Sequence, residues 1–525
     1  MDLTSLAVLP VLVPMAAVIA NLVLGDGRGR ILAYNIAFSI VLVLVSAALL
    51  AGLLAGGETA MAVYSFGNWP IPFGIVFAAD RLAAVMVLTT SVLALAALLF
   101  ATARWYRRGT AFFPLFHALT MGLNGAFLTG DLFNLFVFFE LLLAASYGLV
   151  LHGSGRNRVR SALHYIAVNL VASSMFLIGV ALIYGSTGSL NMADIARRAA
   201  SLEGDARTLF EVGASVLGIA FLVKAGAWPM HFWLPPAYSA AAPPVAALFT
   251  IMTKVGFYAV LRLKTLAFPA SEFGEIALFV IGIATLAYGS IGALSSKALD
   301  RLASYLILVS AGTLLLAVSY DVPGVTAGAL LYLVVATFAA GALFLLKDII
   351  DQTLPAEAQV LAISLEFYGE DDEEEIDEDE EVSPRVPTGA ALISWCFAIV
   401  ALVLAGLPPL AGFLSKFVMI SSAFTAVEQP GPLTWWFAAA VIASGLLVLI
   451  AMVRNGINIF WTSMPETGIR VRLLEIMPVV MLLALCVVAT VMAGPIIDIL
   501  SGTAGNLHNP DIYITGVLGS GEVNP

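Results

Sequence analysis

Apolar residues along this chain fall into long blocks, and polar residues gather in the short stretches between them. Crossing a hydrocarbon layer of about 30 Å takes about 20 apolar residues, at roughly 1.5 Å of helical rise each. Fourteen blocks meet that length, at about 3–24, 31–55, 78–103, 111–129, 131–151, 160–185, 209–229, 238–263, 273–293, 299–320, 323–347, 389–424, 433–453 and 473–500. The pattern predicts an all-α polytopic membrane protein, one helix per block, because a helix satisfies its own backbone in lipid. The first block lacks a basic leader and is long enough to span, so it reads as a helix and not as a cleaved signal. The longest loops are 186–208 and 348–388, and Gly, Pro and Asn mark 56–76 as an external turn region.

Composition narrows the class. Of 525 residues, 61% are hydrophobic and 11% charged, against about 25% charged in a soluble domain. That excludes a soluble enzyme, a nucleic-acid binder and a disordered scaffold. The net charge of −11 is local, since twelve acids lie between Glu366 and Glu381 and the remainder of the chain is nearly balanced. This acidic run reads as a solvated segment. Cys396 and Cys486 stand alone in apolar runs and read as small core residues. No metal-ligand spacing, haem or iron–sulfur set, phosphate-cradling glycine loop or dinucleotide fingerprint occurs, so neither a cofactor nor a metal is expected.

Basic residues set the orientation. Fourteen fall in odd-numbered loops and six in even-numbered ones, with Arg262 and Lys264 among the six. By the positive-inside tendency the odd loops are cytoplasmic, both termini are outside, and the acidic run is cytoplasmic.

Three lysines fit no loop. Lys224, Lys254 and Lys416 are embedded in apolar segments, as is Glu140. A charge at mid-bilayer costs at least about 2.5–3.5 kcal/mol on insertion scales. A single lysine can snorkel or pair structurally, but four such groups near segment centres point to function. Their physical use is proton transfer: desolvation weakens a lysine's hold on its proton, and a nearby carboxylate strengthens it again. Glu140 is the natural partner of Lys224. Thr250 and Tyr258 lie four residues either side of Lys254, on one helical face, where their hydroxyls would carry a water chain.

Prolines lie beside two of these lysines. Pro229, Pro235 and Pro236 follow Lys224, and Pro408 and Pro409 precede Lys416. Proline breaks a helix, and broken backbone at membrane depth survives only where protein buries it or a wet cavity solvates it. Two broken helices in the two halves of a transporter suggest midplane ion sites and an inverted repeat; an ordinary proline kink is the plainer reading. His117, His152 and His164 read as packing residues, and His231, in the AWPMHFWLPP break, reads as part of a proton path. Asp80 and Asp131 sit at helix starts, with Arg81 a simple partner for Asp80.

At these residues the chain resembles the antiporter-like subunits shared by respiratory complex I and the Mrp-type (multiple resistance and pH) cation/proton antiporters. DLFNLFVFFELLLAASYGL (131–149), FWLPPAYSAAAPPVAALF (232–249) and TKVGFYAVLR (253–262) resemble the D-type subunit of the Mrp antiporters most closely, and GLPPLAGFLSKF (406–417) also fits. Complex I relatives more often carry Trp before the glutamate and Asp-Ala-His after the WLP, where this chain has Phe139 and Pro236-Ala237-Tyr238. The resemblance implies fourteen helices, with helices 1–3 in 1–110, inverted five-helix repeats in 111–264 and 273–461, helices seven and twelve broken, and a last helix and tail in 470–525.

The resemblance also implies roles: Glu140 and Lys224 as a switching pair, Lys254 as a relay, and Lys416 at the exit to the far side. It departs at helix eleven, where relatives carry a His and a Lys and this chain has Val335 and Ala340. The relay would then use water, hydroxyls such as Thr337, or Lys347 near the helix end. The expected protein is one subunit of a hetero-oligomeric Na+/H+ antiporter (K+ or Li+ being alternatives) in a bacterial plasma membrane. It would assemble with a larger homologous subunit and small membrane subunits. A proton-pumping subunit of a redox complex and a non-transporting scaffold are the competing readings.

Overall fold

A computed structural model describes residues 3–24, 28–109, 111–153, 155–269, 271–353, 388–460 and 472–519. The acidic run 366–381 lies outside them. The helices are α1 (Leu3–Val23), α2 (Arg28–Ala55), α3 (Arg81–Ala103), α4 (Phe112–Leu128), α5 (Leu132–Val150), α6 (Arg156–Thr187), α7 (Met192–Ala199), α8 (Gly204–Ala225), α9 (Leu234–Ala240), α10 (Pro243–Phe249), α11 (Met252–Ala267), α12 (Glu275–Ser295), α13 (Leu299–Val318) and α14 (Pro323–Thr353). After the acidic run come α15 (Thr388–Ala405), α16 (Ala411–Thr425), α17 (Pro432–Phe460), α18 (Leu473–Val491), α19 (Ala493–Leu507) and α20 (Pro510–Leu518).

Among the described residues twelve helical segments are long and apolar enough to cross a membrane. The slightly shorter α4 and the interrupted pair α15 and α16 bring the crossings to the fourteen that the apolar blocks predict. The chain is a multi-pass membrane protein. Two of the crossings end in breaks marked by glycine and proline: α8 stops at Ala225 and resumes as α9, and α15 stops at Ala405 and resumes as α16.

The starts of the helices follow local chemistry. Asp80 caps α3 by accepting from the Ala83 amide at 2.9 Å, and Asp131 caps α5 through Asn134 at 2.8 Å. Asp80 does not pair with Arg81, as the sequence suggests. It pairs with Arg262 at 2.5 Å, while Arg81 donates to the Gly57 carbonyl at 2.7 Å. Arg262 and Lys264 are not loop residues either: both are buried in α11, and Lys264 meets Glu275 at 2.8 Å. They sit at the end of an apolar run, where sequence alone reads a positive charge as the start of a loop.

The turn region 56–76 contains one strand of an antiparallel hairpin, β1 (Ala62–Ser65) with β2 (Val76–Ala79). The loop 186–208 holds α7, and the C-terminal tail folds back as α19 and α20 on the same face of the protein. That face also carries the beginnings of α3 and α5. The opposite face carries the ends of α3 and α14 and the start of α18, joined by ion pairs from Arg104 to Asp348 of α14 and Glu475 of α18. Cys396 and Cys486 are buried free thiols, and His117 packs between α1, α2 and α4 with Nε2 2.8 Å from the Asn35 side chain.

On the hairpin face, outside the crossings, buried Asp194 of α7 accepts from Arg197 and from Arg198, the latter at 2.9 Å. Burial favours the protonated acid, but hydrogen bonds from Ser189, Arg198 and Arg197 outweigh it and hold the carboxyl below its usual range. A folded value below the unfolded one stabilises above the unfolded pKa and loses that contribution as pH falls through the folded value. Asp194→Asn is therefore expected to lower the thermal midpoint at pH 7. The gap to wild type should close as pH drops below about 3.9, the unfolded aspartate value. A gap that does not narrow as pH falls below that value in parallel melts would contradict this.

Candidate functional site

The two interrupted crossings share a local sequence and a local geometry. Ala225-Gly226-Ala227-Trp228-Pro229 ends one half-helix and Ala405-Gly406-Leu407-Pro408-Pro409 ends the other. Gly226 and Gly406 take left-handed φ values of 72° and 75°. This conformation reverses the chain and favours a residue without Cβ. In both, the next amide reaches back five residues: Ala227 N to Leu222 O at 2.9 Å and Leu407 N to Leu402 O at 3.0 Å. These are helix C-caps of the Schellman type, followed three residues after the glycine by a proline in a cis peptide, Trp228–Pro229 and Pro408–Pro409.

Threonine hydroxyls stitch each break to a neighbouring helix, Thr285 accepting from Trp228 N and Thr490 from Ala411 N, both at 2.8 Å. The half-helices enter from opposite faces. α8 comes from the hairpin face, where α7 precedes it, whereas α16 runs out to that face and packs its Ser422 against Gly324 at the start of α14.

A half-helix that stops inside the membrane presents the negative end of its dipole there. Each break has a lysine at that end. Lys224 lies in the last turn of α8, and Lys416 of α16 reaches back to donate to the Ala405 carbonyl, the last of α15, at 2.9 Å. Both lysines are buried, 7% and 6% exposed. Gly406 and Gly445 line the Lys416 side chain so closely that a Cβ at either would lie 3.0 or 3.2 Å from Nζ.

Around Lys224 the ammonium lies 4.8 Å from the centre of the Phe139 ring and 3.4 Å from the Ser173 hydroxyl. Glu140 follows Phe139 on α5, close enough for its charge to act on Lys224. The expected pair is therefore adjacent, but it forms no direct ion pair among the described residues, and Glu140 Oε1 is buried without a hydrogen-bond partner. The gap between carboxylate and ammonium suits an inserted water or a small side-chain movement.

Lys254 is 1% exposed, and its Nζ lies 3.4 Å from the Thr253 hydroxyl. Gly256 allows this position: a Cβ there would lie 2.5 Å from Ala225 N and 2.7 Å from Phe221 O, so α11 packs directly on the last turn of α8. Lys254 and Lys224 are thereby held on two touching backbones. The predicted hydroxyl ladder differs. Thr250 is not on the helix of Lys254, because α10 ends at Phe249 and α11 begins at Met252; its hydroxyl donates to Ala247 O at 2.8 Å. Tyr258 donates to Phe127 O at 2.7 Å. The helical spacing that suggested a shared face holds for Tyr258 on α11 but not for Thr250, which lies before the break at 250–251.

α14 connects the two halves. The Thr250 hydroxyl lies 3.4 Å from the Thr337 carbonyl, and Thr337 itself donates to Leu333 O. Nine residues earlier, Gly328 packs on Ser415 O and Met419 N, beside Lys416. Between them Tyr332 lies beside Thr313 and Ser310 of α13, and the buried Ser310 hydroxyl has no hydrogen-bond partner. Sequence reasoning missed this hydroxyl cluster. Its only signal was three hydroxyls in two neighbouring apolar segments, which many membrane helices carry.

The other candidates fall in two places. His231 lies in the first break, with its ring 3.9 Å from that of Tyr288 on α12 and its Nδ1 unpartnered. Lys347 is no substitute relay at the centre: it pairs with Asp351 at 2.6 Å, lining a cavity of about 340 Å³ at the face opposite the hairpin. Tyr238, Pro243 and Phe344 also line this cavity, so it opens directly onto the start of α10. Among the described residues no cluster of side chains has the makings of a metal site.

Comparison with known proteins matches residues 129–447 to a family described as NADH:quinone oxidoreductase/Mrp antiporter, transmembrane. The D-type subunit of a probable K(+)/H(+) antiporter from Rhizobium meliloti is 50% identical, the alignment covering 98% of each chain. Its counterpart in the Na(+)/H(+) antiporter of Alkalihalophilus pseudofirmus is 34% identical over 98% of this chain and all of its own. A chain in the solved Mrp complex of a Dietzia species superposes with a TM-score of 0.84 at 26% identity, over 98% of this chain and 99% of that one.

Proposed function

Because the chain belongs to the NADH:quinone oxidoreductase/Mrp antiporter transmembrane family, we propose that it is the proton-translocating D-type subunit of a multisubunit monovalent cation/H+ antiporter. The observation that carries this reading is the pair of opposed helix breaks, each with a buried lysine at its negative end. The exchanged cation is Na+ or K+, both of which occur in the names of relatives. The partners are the other subunits of a hetero-oligomeric complex, including a larger homologue and small membrane subunits, in a bacterial plasma membrane.

In the mechanism we favour, the face opposite the hairpin is cytoplasmic and the termini are outside. The shared caps of α8 and α15, entering from opposite sides, support inverted repeats at 111–264 and 273–461. Glu140 and Lys224 switch: drawing the carboxylate toward the ammonium strengthens its hold on a proton, and separating them weakens it. Lys254, on the backbone that touches Lys224, takes the next charge state, and the 340 Å³ cavity is the cytoplasmic mouth leading to it past α10. Tyr332, with Ser310, Thr313 and water, takes the place of the His and Lys that relatives carry where this chain has Val335 and Ala340 on α14. Lys416 passes the proton to the outer half. Moving one charge through 100 mV is worth about 2.3 kcal/mol, comparable to bringing one buried ion pair together.

The test is exchange by the whole complex in everted membrane vesicles holding an acid-inside gradient. Addition of K+ or Na+ should dissipate the gradient, and the cation that does so identifies the substrate. No response to any alkali cation would refute the reading, and a response only to NADH would favour a redox-driven pump, the other branch of the family. Tyr332→Phe is expected to slow exchange by less than the roughly hundredfold that losing a positioned proton-transfer group costs, since water can fill the hydroxyl's place, with assembly unchanged; a wild-type rate would remove Tyr332 from the path.

A further inference from the structure

A second buried cation lies on α11 beyond the path just described. Arg262 is 4% exposed, two helical turns after Lys254. Its guanidinium pairs with Asp80 at 2.5 Å, donates from Nε to the Tyr258 hydroxyl at 3.2 Å, and lies 5.2 and 5.1 Å from the ring centres of Tyr258 and Tyr513. Lys254, Tyr258 and Arg262 thus follow one another along one helix at single-turn spacing. On the far side of Arg262 is a cavity of about 20 Å³, roughly the room for one water. Asp80 borders that cavity with 18% of its side chain exposed on the hairpin face.

Without the guanidinium this column would be a short circuit. Eight residues of helix span about 12 Å. A phenol, a water and a partly exposed carboxylate are all groups that pass protons. A proton on Lys254 would reach the hairpin face directly and never enter the second half, where Lys416 lies. Arginine differs from every other member of the column because it keeps its proton at all pH values a protein meets. A fixed positive charge held in such a column repels protons and cations from both sides. Its surroundings hold it still, with Asp80 from α3, Tyr258 from its own helix and Tyr513 from the C-terminal α20.

We propose that Arg262 is an electrostatic plug that closes the direct route from Lys254 to the hairpin face and so forces protons through the second half of the subunit. The direction of flow rests on the proposed function; the plug itself is a claim about leakage. A plain structural clamp between α3, α11 and α20 would use the same contacts, and the two differ in what each substitution does.

The experiment measures proton conductance of vesicles containing the whole complex after a pH step, in choline medium with thiocyanate as permeant ion and no alkali cation present. Wild type should be tight, and Arg262→Lys should leak, because a buried lysine can release the proton that arginine keeps. The double variant Asp80→Asn with Arg262→Gln, which leaves no orphaned charge, should raise conductance at least tenfold, and adding Lys254→Met should return it to the wild-type level. Asp80→Asn alone should stay tight, since the guanidinium remains. An assembled double variant as tight as wild type would overturn the plug, as would an Asp80→Asn variant that leaks. The latter arm stands by itself if the double variant does not assemble. Antiport by the wild-type complex with no leak in the double variant sinks the plug alone, whereas a wild-type complex without antiport sinks the proposed function alone.

Discussion

Lys224→Ala should reduce cation-dependent proton movement by the assembled complex by at least about a hundredfold, the low end of what a positioned proton-transfer group supplies. The side chain lies in the last turn of α8, over the Phe139 ring and within reach of the charge of Glu140, whose Oε1 is buried without a hydrogen-bond partner. Truncating it removes the amine that holds and releases the proton beside Glu140. Assembly should survive, because a buried ammonium costs at least about 2.5–3.5 kcal/mol to insert and its loss leaves only a small gap beside Ser173. Lys224→Arg should be as inactive as the alanine variant, since a guanidinium keeps the charge but does not release the proton. Vesicle exchange assays with native gels read both quantities. Wild-type exchange by either variant would remove Lys224 from the path.

The second large effect needs no charge at all. Gly256→Ala should destabilise the protein by about 1–3 kcal/mol, the usual cost of overpacking, and should cut exchange as sharply as loss of Lys254. The new methyl would meet backbone atoms of Ala225 and Phe221 at 2.5 and 2.7 Å, and backbone gives way only if the helices separate. Separation would carry Lys254 away from the last turn of α8. Gly185→Ala on α6 is the control: its Cβ would meet only a Leu209 methyl group at 3.8 Å, and it should be silent. Thermal melts and exchange assays on both variants measure this. A Gly256→Ala protein with normal stability and exchange would show that the contact between α8 and α11 does not set the position of Lys254.

Much of this is legible in the chain because membrane depth makes some residues conspicuous. Lys224, Lys254, Lys416 and Glu140 are visible as charges where charges are costly, and Pro229 and Pro408 as breaks where helices should run on. The family signature comes from the same segments, and the match over 129–447 agrees with it. What stays hidden depends on geometry that apolar periodicity does not encode. The interruption at Thr250–Ile251 carries no proline of its own and falls inside an apolar run, so spacing alone places Thr250 on the wrong helix.

Arg262 lies at the end of a segment, where a cation looks like a loop residue, and its partner Asp80 is nearly two hundred positions away. The hairpin, α7 and α19–α20 are too short or too polar to register as crossings, although they cover one face of the protein. Tyr332, Ser310 and Thr313 look like ordinary membrane hydroxyls until α13 and α14 bring them together.

The account stands on the buried lysines acting in series, and the measurement that tests this most directly is charge displacement in supported membranes carrying the complex with Lys416→Met. After a pH jump, protons should still enter from the cytoplasmic mouth and load the Lys224 and Lys254 region, giving a transient current. No steady cation-driven current should follow, because the outer half has lost its carrier. A sustained current equal to that of wild type would show that protons cross without passing Lys416, and the serial path would be wrong.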